Sequence, residues 1–318
     1  MARKPDPDQI KLDDAARAGW LYYIAGNTQD EIARKLGVSR QTAQRLVSLA
    51  VSARLIKVRL DHPIGRCIDL ARQLRDAYGL DRCEVVPADP ASASETLGVA
   101  QAAAAELERH LVSPHPVIIG MGTGRMLRDM ADQVSPMECP QHKLVSRVGH
   151  IAPDGSASQF DVVSRIGERV AAPHYPMPLP VIANTVHEKA LLLAQPTLRN
   201  VIDLATQADI TFVGIGTVDD HAALLRDGFV RPEEVRALMK AGGVGEITGW
   251  AYDAKGQLID GLTNDRVLSV PLDHPARRPV TGVAMALGRL KAVKGAMVGR
   301  LINGLVTNER MAEKLLEK

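Results

Sequence analysis

Two glycine turns and one polar helical stripe are where residue types and spacing in this chain can do chemistry. Ile119-Gly120-Met121-Gly122-Thr123-Gly124 and Val213-Gly214-Ile215-Gly216-Thr217 repeat one device, an apolar run that ends in Gly-x-Gly-Thr. Glycines there let backbone N–H groups approach an anion. A threonine hydroxyl adds a donor, and a following helix N-terminus adds positive potential. A phosphate or a cluster of sugar hydroxyls suits that chemistry. A tight turn that needs glycine only for its backbone angles gives the same pattern; its occurrence twice favours a ligand. Neither copy has the spacing and acidic partner of a dinucleotide fingerprint. Glu246, after Gly242-Gly243-Val244-Gly245, can accept hydrogen bonds from hydroxyls or stand as a solvated loop carboxylate. Lys291, at a helix start after Gly288-Arg289-Leu290, can hold a phosphate or be an ordinary surface lysine. No G-x-S-x-G, H-E-x-x-H or P-loop occurs, and His150, His174, His187 and His221 lack motif partners.

The stripe lies between Thr28 and Ser52. Thr28 with Glu31 forms a capping-box pattern that opens a first helix, Gly37 ends it, and Ser39 caps a second helix from Arg40. Helical spacing puts Ala43, Leu46, Val47 and Ala50 on one face and Arg40, Gln41, Gln44, Arg45 and Ser48 on the other. Arg matches guanine and Gln matches adenine in the major groove, so the polar face suits base edges and phosphates. A solvated helical hairpin would show the same stripe, but its neighbours favour DNA. Residues 1 to 60 hold eleven Lys+Arg against six Asp+Glu, whereas the rest of the chain is net −3. Ile56 to Leu60 alternates apolar and basic residues like a wing strand. Upstream, Ala16, Trp20, Tyr23 and Ile24 recur at helical spacing and are expected to wall the small core.

These candidates need elements to hold them. The 318 residues suit two unequal domains, 1–61 and 62–318, with His62-Pro63-Ile64-Gly65 as the boundary. At 46% hydrophobic and 3% aromatic, the body should have an aliphatic core. Cys67, Cys83 and Cys139 show no CxxC spacing and read as free thiols. The start of the chain lacks an apolar leader, and charges interrupt Thr281 to Ile302, so the expected location is the cytoplasm, with no membrane span.

A helix is expected from Arg66 to Tyr78, either packed in the core or pairing protomers. Strand signals at 83–87, 116–119, 144–148 and 210–213 alternate with helical signals at 94–111, 125–134, 161–171, 187–193 and 197–207. That pattern predicts an α/β body with a mainly parallel sheet, binding ligands at its carboxyl strand ends. Tyr175 to Val181, with three prolines, is expected as an extended loop along a cleft. A hairpin is expected from 247–252 with 257–259, and a helix from Lys291 to Leu301.

Trp20 to Leu60, with Tyr22-Tyr23, Thr28-Gln29, Glu31-Ile32-Ala33 and Ser39-Arg40, resembles the winged helix of SorC-type sugar-responsive bacterial transcription regulators, grouped with the DeoR effector-domain class. The likeness continues through both glycine turns, Gly245-Glu246-Ile247, Gly288 to Ala292 and Leu305-Val306-Thr307-Asn308-Glu309. Met121, Arg125 and Asn308 depart from the family pattern. The resemblance implies an N-terminal winged helix-turn-helix domain and a larger α/β effector domain resembling sugar-phosphate isomerase and CoA-transferase folds. It implies a homotetramer, a dimer of dimers, that binds double-stranded operator DNA and a sugar, polyol or sugar-phosphate effector, with no cofactor. Candidate DNA contacts are Gln29, Ser39, Arg40, Gln41, Thr42, Gln44 and Arg45. Candidate effector contacts are Gly120, Gly122, Thr123, Gly124, Arg125, Gly214, Gly216, Thr217, Glu246 and Lys291; Glu246 stands where the family commonly has Asp, and Lys291 matches its effector-site lysine. The competing reading is a sugar-phosphate isomerase-like enzyme with a regulatory head, in which Glu246 would be the general base.

Overall fold

A computed structural model describes residues 7–53, 55–56, 64–89, 95–156, 161–271 and 273–317. The chain forms two compact units, Met1–His62 and Pro63–Lys318.

In the first unit α1 (Pro7–Tyr23), α2 (Gln29–Leu36) and α3 (Arg40–Ser52) enclose a core of Ala15, Ala18, Ile32, Ala33, Ala43, Leu46, Val47 and Ala50. The α2 capping box is complete: Glu31 N–H donates to Thr28 Oγ1, and Thr28 N–H donates to the Glu31 carboxylate at 2.7 Å. The bond from Thr28 N–H, with a second from the Thr28 hydroxyl, lowers the Glu31 carboxyl from its usual value. Gly37 ends α2 at φ 67°, and Ser39 caps α3 by accepting from Thr42 N–H at 3.1 Å. The expected wall from α1 is different. Trp20 and Ile24 are 55% and 70% exposed, and Ala15, Ala18 and Gly19 face the core instead. A Cβ on Gly19 would lie 2.7 Å from the Ala50 methyl, so α1 approaches α3 more closely than a Trp stripe would allow. Ile56 packs against this core, whereas residues 57–60 of the expected wing lie outside the described residues.

The second unit runs α4 (Gly65–Tyr78), β1 (Arg82–Val86), α5 (Glu95–Leu111), β2 (Ile118–Met121), α6 (Arg125–Gln133), β3 (Lys143–Ile151), α7 (Val162–Arg169), β4 (His174–Pro180), α8 (Val186–Leu193), α9 (Pro196–Thr206), β5 (Ile210–Gly214), β6 (Gly216–Thr217), α10 (Ala223–Arg226), α11 (Pro232–Lys240), β7 (Gly243–Ile247), β8 (Trp250–Asp253), β9 (Val280–Val283), α12 (Leu290–Val298), β10 (Gly304–Asn308) and α13 (Glu309–Leu316). Seven strands form a parallel sheet in the order β1-β10-β9-β5-β2-β3-β4; β6, β7 and β8 form a small antiparallel one.

The parallel sheet is buried on both faces, as its aliphatic strands require. In β5, Ile210 and Phe212 join a core with Leu107, Leu127, Met130 and Ile166, while Val213 joins the opposite core with Leu74, Met297 and Met311. Cys67, Cys83 and Cys139 are free thiols, and burial pushes Cys83 up to about 12.

Two expectations are corrected. Tyr175 to Val181 is largely strand β4 rather than loop, because β4 is an edge and Pro176, Pro178 and Pro180 recur every second residue, where missing N–H groups face away from the ladder. The expected hairpin is present in part, since Tyr252 bridges Leu258 and Ile259 N–H donates to Ala251 O, but the longer hairpin is β7–β8, just before it. The β7–β8 turn is Thr248-Gly249, both at positive φ, and the glycine run expected as a loop is mostly strand β7. Glycine serves packing there: a Cβ on Gly245 would lie 2.5 Å from the Tyr252 hydroxyl.

Thr28→Ala removes the hydroxyl that accepts from Glu31 N–H and donates to the Glu31 carboxylate, while the backbone bond from residue 28 to Glu31 stays. It should destabilise the first unit by about 1 kcal/mol, read as an earlier urea transition of its helical signal; an unchanged midpoint would deny the cap any such role.

Candidate functional site

Sheet order brings the two glycine turns together. From β2 the chain moves through β3 to β4 on one side, whereas β5 lies on the other side of β2, followed outward by β9, β10 and β1. β2 and β5 are therefore hydrogen-bonded neighbours at a switch point, where a crevice opens beyond the carboxyl ends. The turns touch: a Cβ on Gly214 would come within 2.9 Å of Thr123 O.

The crevice is lined by Thr123, Gly124 and Arg125 from the first turn and Gly214, Ile215 and Gly216 from the second. Glu246, Thr248 and Gly249 come from the β7–β8 hairpin, Asp227 from the segment after α10, and Arg289 from a 3-10 turn before α12. Met126, Val148, Val181, Leu224 and Phe229 supply apolar walls. It is open to solvent at its mouth and encloses about 80 Å³.

Each turn works differently. Gly124, at φ 120° and ψ 166°, is the N-cap of α6, whose first turn supplies the positive end of a helix dipole. The Arg125 guanidinium lies 3.6 Å from Asp227. Gly122 is committed to the sheet, its N–H donating to Phe212 O at 2.8 Å. The second turn leads into strand β6 rather than a helix, because Gly216 and Thr217 pair with Glu246 and Gly245. That pairing explains Gly216: its Cβ would sit 1.9 Å from Glu246 Oε1. Only glycine leaves the carboxylate its place.

Glu246 is held from two sides. Gly249 N–H donates to its Oε2 at 2.8 Å, and Arg289, whose guanidinium donates to Ile215 O at 2.7 Å, adds positive charge nearby. Burial nevertheless dominates and raises the carboxyl above its usual range, against the Gly249 bond and Arg289. Glu246 lies in strand β7 and is half-buried rather than in a loop.

Thr123, Gly124, Arg125, Gly214, Gly216 and Glu246 of the sequence candidates thus share one crevice. Gly120, Gly122, Thr217 and Lys291 are outside its lining. Gly120 is buried where a Cβ would meet Thr211 Oγ1 at 2.8 Å, and Thr217 lines a smaller cavity behind Glu246. Lys291 is exposed on α12, and Arg289, two residues earlier, takes the place at the strand ends. Asp227, Thr248 and Arg289 had no recognisable spacing, although Arg289 stands in the same Gly-Arg-Leu-Lys string as Lys291.

In the first unit, Arg40, Gln41, Thr42, Gln44 and Arg45 are exposed on α3, opposite its buried face, while Gln29 is half-buried and Ser39 is engaged as the cap. Arg40 Nε lies 3.5 Å from Asp30 on α2.

A raised carboxyl pKa gives the folded state the greater proton affinity, so Glu246 makes stability fall as pH rises from about 4.5 through the raised value. Glu246→Gln keeps an acceptor without charge. It should raise Tm at neutral pH and flatten this part of the pH profile, whereas a Tm equal to wild type at every pH would contradict a half-buried, destabilised carboxylate. Gly216→Ala should displace the Glu246 side chain and abolish small-molecule binding while the far-ultraviolet spectrum stays native. Undiminished binding would show that Glu246 takes no part.

A family model described as "Putative sugar-binding domain" matches residues 62–317. The chain is 33% identical over 302 residues to the erythritol catabolism regulatory protein EryD of Brucella abortus strain 2308, covering 95% of this chain and 96% of that one. It is 30% identical over 309 residues to the transcriptional regulator LsrR of Klebsiella pneumoniae, covering 95% and 92%. In fold it is similar to the full-length sorbitol operon regulator SorC from Klebsiella pneumoniae, with TM-score 0.71 and 24% identity over 97% of this chain and 100% of that one. Sequence and fold together place the chain in the sugar-binding-domain family of SorC-type transcriptional regulators.

Proposed function

We propose that the chain is a cytoplasmic repressor or activator whose operator affinity is set by a small sugar, polyol or sugar phosphate held where the two glycine turns meet. The observation that carries this reading is the convergence of both turns, Glu246 and Arg289 on one crevice at the β2–β5 switch point. Carboxylate and guanidinium groups, backbone N–H groups and apolar walls together suit a short polyhydroxylated molecule. Thr123, Gly124 and Arg125 receive its polar or anionic end; Glu246 accepts from its hydroxyls.

Residues 1–61 are the DNA-binding unit in this proposal, with α2 and α3 as a helix-turn-helix and the polar face of α3 in the major groove. Residues 62–318 bind the effector and assemble a tetramer, so that paired heads span two half-sites. An effector acts only through unequal affinity for two assembly states, and the predicted readout is a change in operator affinity. The relative named for erythritol catabolism places four-carbon polyols first among the compounds to try.

The test is a gel-shift titration of the upstream DNA at several salt concentrations, with tetritols, pentitols, hexitols and their phosphates. Binding should weaken steeply with salt, and at least one compound should shift the midpoint. Absence of binding to any intergenic DNA at moderate salt would end this reading. Arg40→Ala and Arg45→Ala should each cost ~1–3 kcal/mol of operator affinity; unchanged affinity in both would mean that another face reads the DNA.

A further inference from the structure

Thr248 is a poor residue for its position by every local criterion. It opens the two-residue turn of the β7–β8 hairpin at φ 52°, followed by Gly249 at φ 92°. Two left-handed residues in succession are the preserve of Asn, Asp and Gly, because a β-branched side chain crowds its own backbone there. Its side chain then compounds the misfit. Thr248 is only 6% exposed, and its Oγ1 is buried without a hydrogen-bond partner. A hydroxyl withdrawn from water and left unpaired is a net cost to the fold. Its backbone is pinned meanwhile, since Ser269 Oγ donates to Thr248 O. The strained turn is thus held in place with a desolvated hydroxyl on it.

That hydroxyl belongs to a residue lining the crevice, on the same turn that fixes Glu246. Gly249 N–H occupies Glu246 Oε2, which leaves Oε1 on the side of Gly216. We infer that Thr248 is a specificity residue of the effector site: its Oγ1 exchanges a hydrogen bond with one hydroxyl of a polyhydroxylated ligand while Glu246 accepts from a neighbouring hydroxyl. This rests on the reading of the crevice as the effector site and narrows the ligand to one presenting a vicinal diol at the hairpin. A threonine hydroxyl can both donate and accept, so it complements a hydroxyl whose own proton goes either way. A buried group awaiting its partner also rejects analogues that lack it, which is how such sites discriminate. Strain and desolvation that bring the fold nothing are then accounted for by the bound state.

The experiment is isothermal titration calorimetry on the full chain with erythritol, ribitol, sorbitol and the phosphate of each. The tightest binder is carried forward to Thr248→Val and Thr248→Ser, and each protein is also titrated with the monodeoxy analogues of that compound. Val keeps the branched shape and removes the hydroxyl; Ser keeps the hydroxyl. The expected result is a Kd at least tenfold weaker for Thr248→Val and within threefold of wild type for Thr248→Ser. For one monodeoxy analogue, wild type and Thr248→Val should bind alike, a convergence that a merely structural role would not produce. Equal affinity of wild type and Thr248→Val for the parent compound would overturn the inference while leaving the effector site standing. If Thr248→Val does not fold, a wild-type protein indifferent to every single deoxygenation overturns it equally. A wild type that binds none of the panel would sink both the inference and the effector reading.

Discussion

The pairing of β2 with β5 is the constraint on which the rest of this protein depends. The two strands are far apart in sequence, their chains leave in opposite directions across the sheet, and their carboxyl ends meet. Neither turn makes a site alone. Thr123 O lies so close to Gly214 that a Cβ there would meet it at 2.9 Å, and β6 lays Gly216 beside the Glu246 carboxylate. A charged group is thereby built into a low-dielectric crevice, at the cost of a raised pKa that burial imposes. The short antiparallel sheet is less an ornament of the fold than the means of carrying Glu246 and Thr248 to the switch point.

The two glycine turns look alike in sequence and do different work. The first feeds a helix, so its positive end faces the crevice. The second feeds a strand, and its glycines are demanded by what crowds them rather than by an anion. The repeated motif therefore marks one crevice, to which its two copies contribute in different ways. Gly120 and Gly122 show the same division, since one is required by sheet packing and the other spends its N–H on a neighbouring strand.

Local signals made much of the architecture legible. Thr28, Glu31, Gly37 and Ser39 specify α2 and α3 because caps act within four residues, and alternating apolar runs and helical stripes specify a parallel α/β sheet. Misreadings arose where tertiary context outweighed local preference. Prolines that suggested a loop are tolerated in β4 because it is an edge; Gly245, in a run that suggested a loop, is needed in β7 by the Tyr252 ring; and large apolar residues of α1 stay exposed because small ones allow closer helix packing. Asp227, Thr248 and Arg289 could not be found by spacing, since only the order of strands brings their segments to one place.

The central claim is that the β2–β5 switch point holds the effector that governs DNA binding. Amide hydrogen exchange of the full chain, with and without a saturating polyol that shifts operator affinity, tests it most directly. Slowed exchange is expected, confined in the second unit to residues 123–127, 214–217 and 246–249. Unchanged exchange in all three segments, with protection elsewhere in the chain, would contradict the claim.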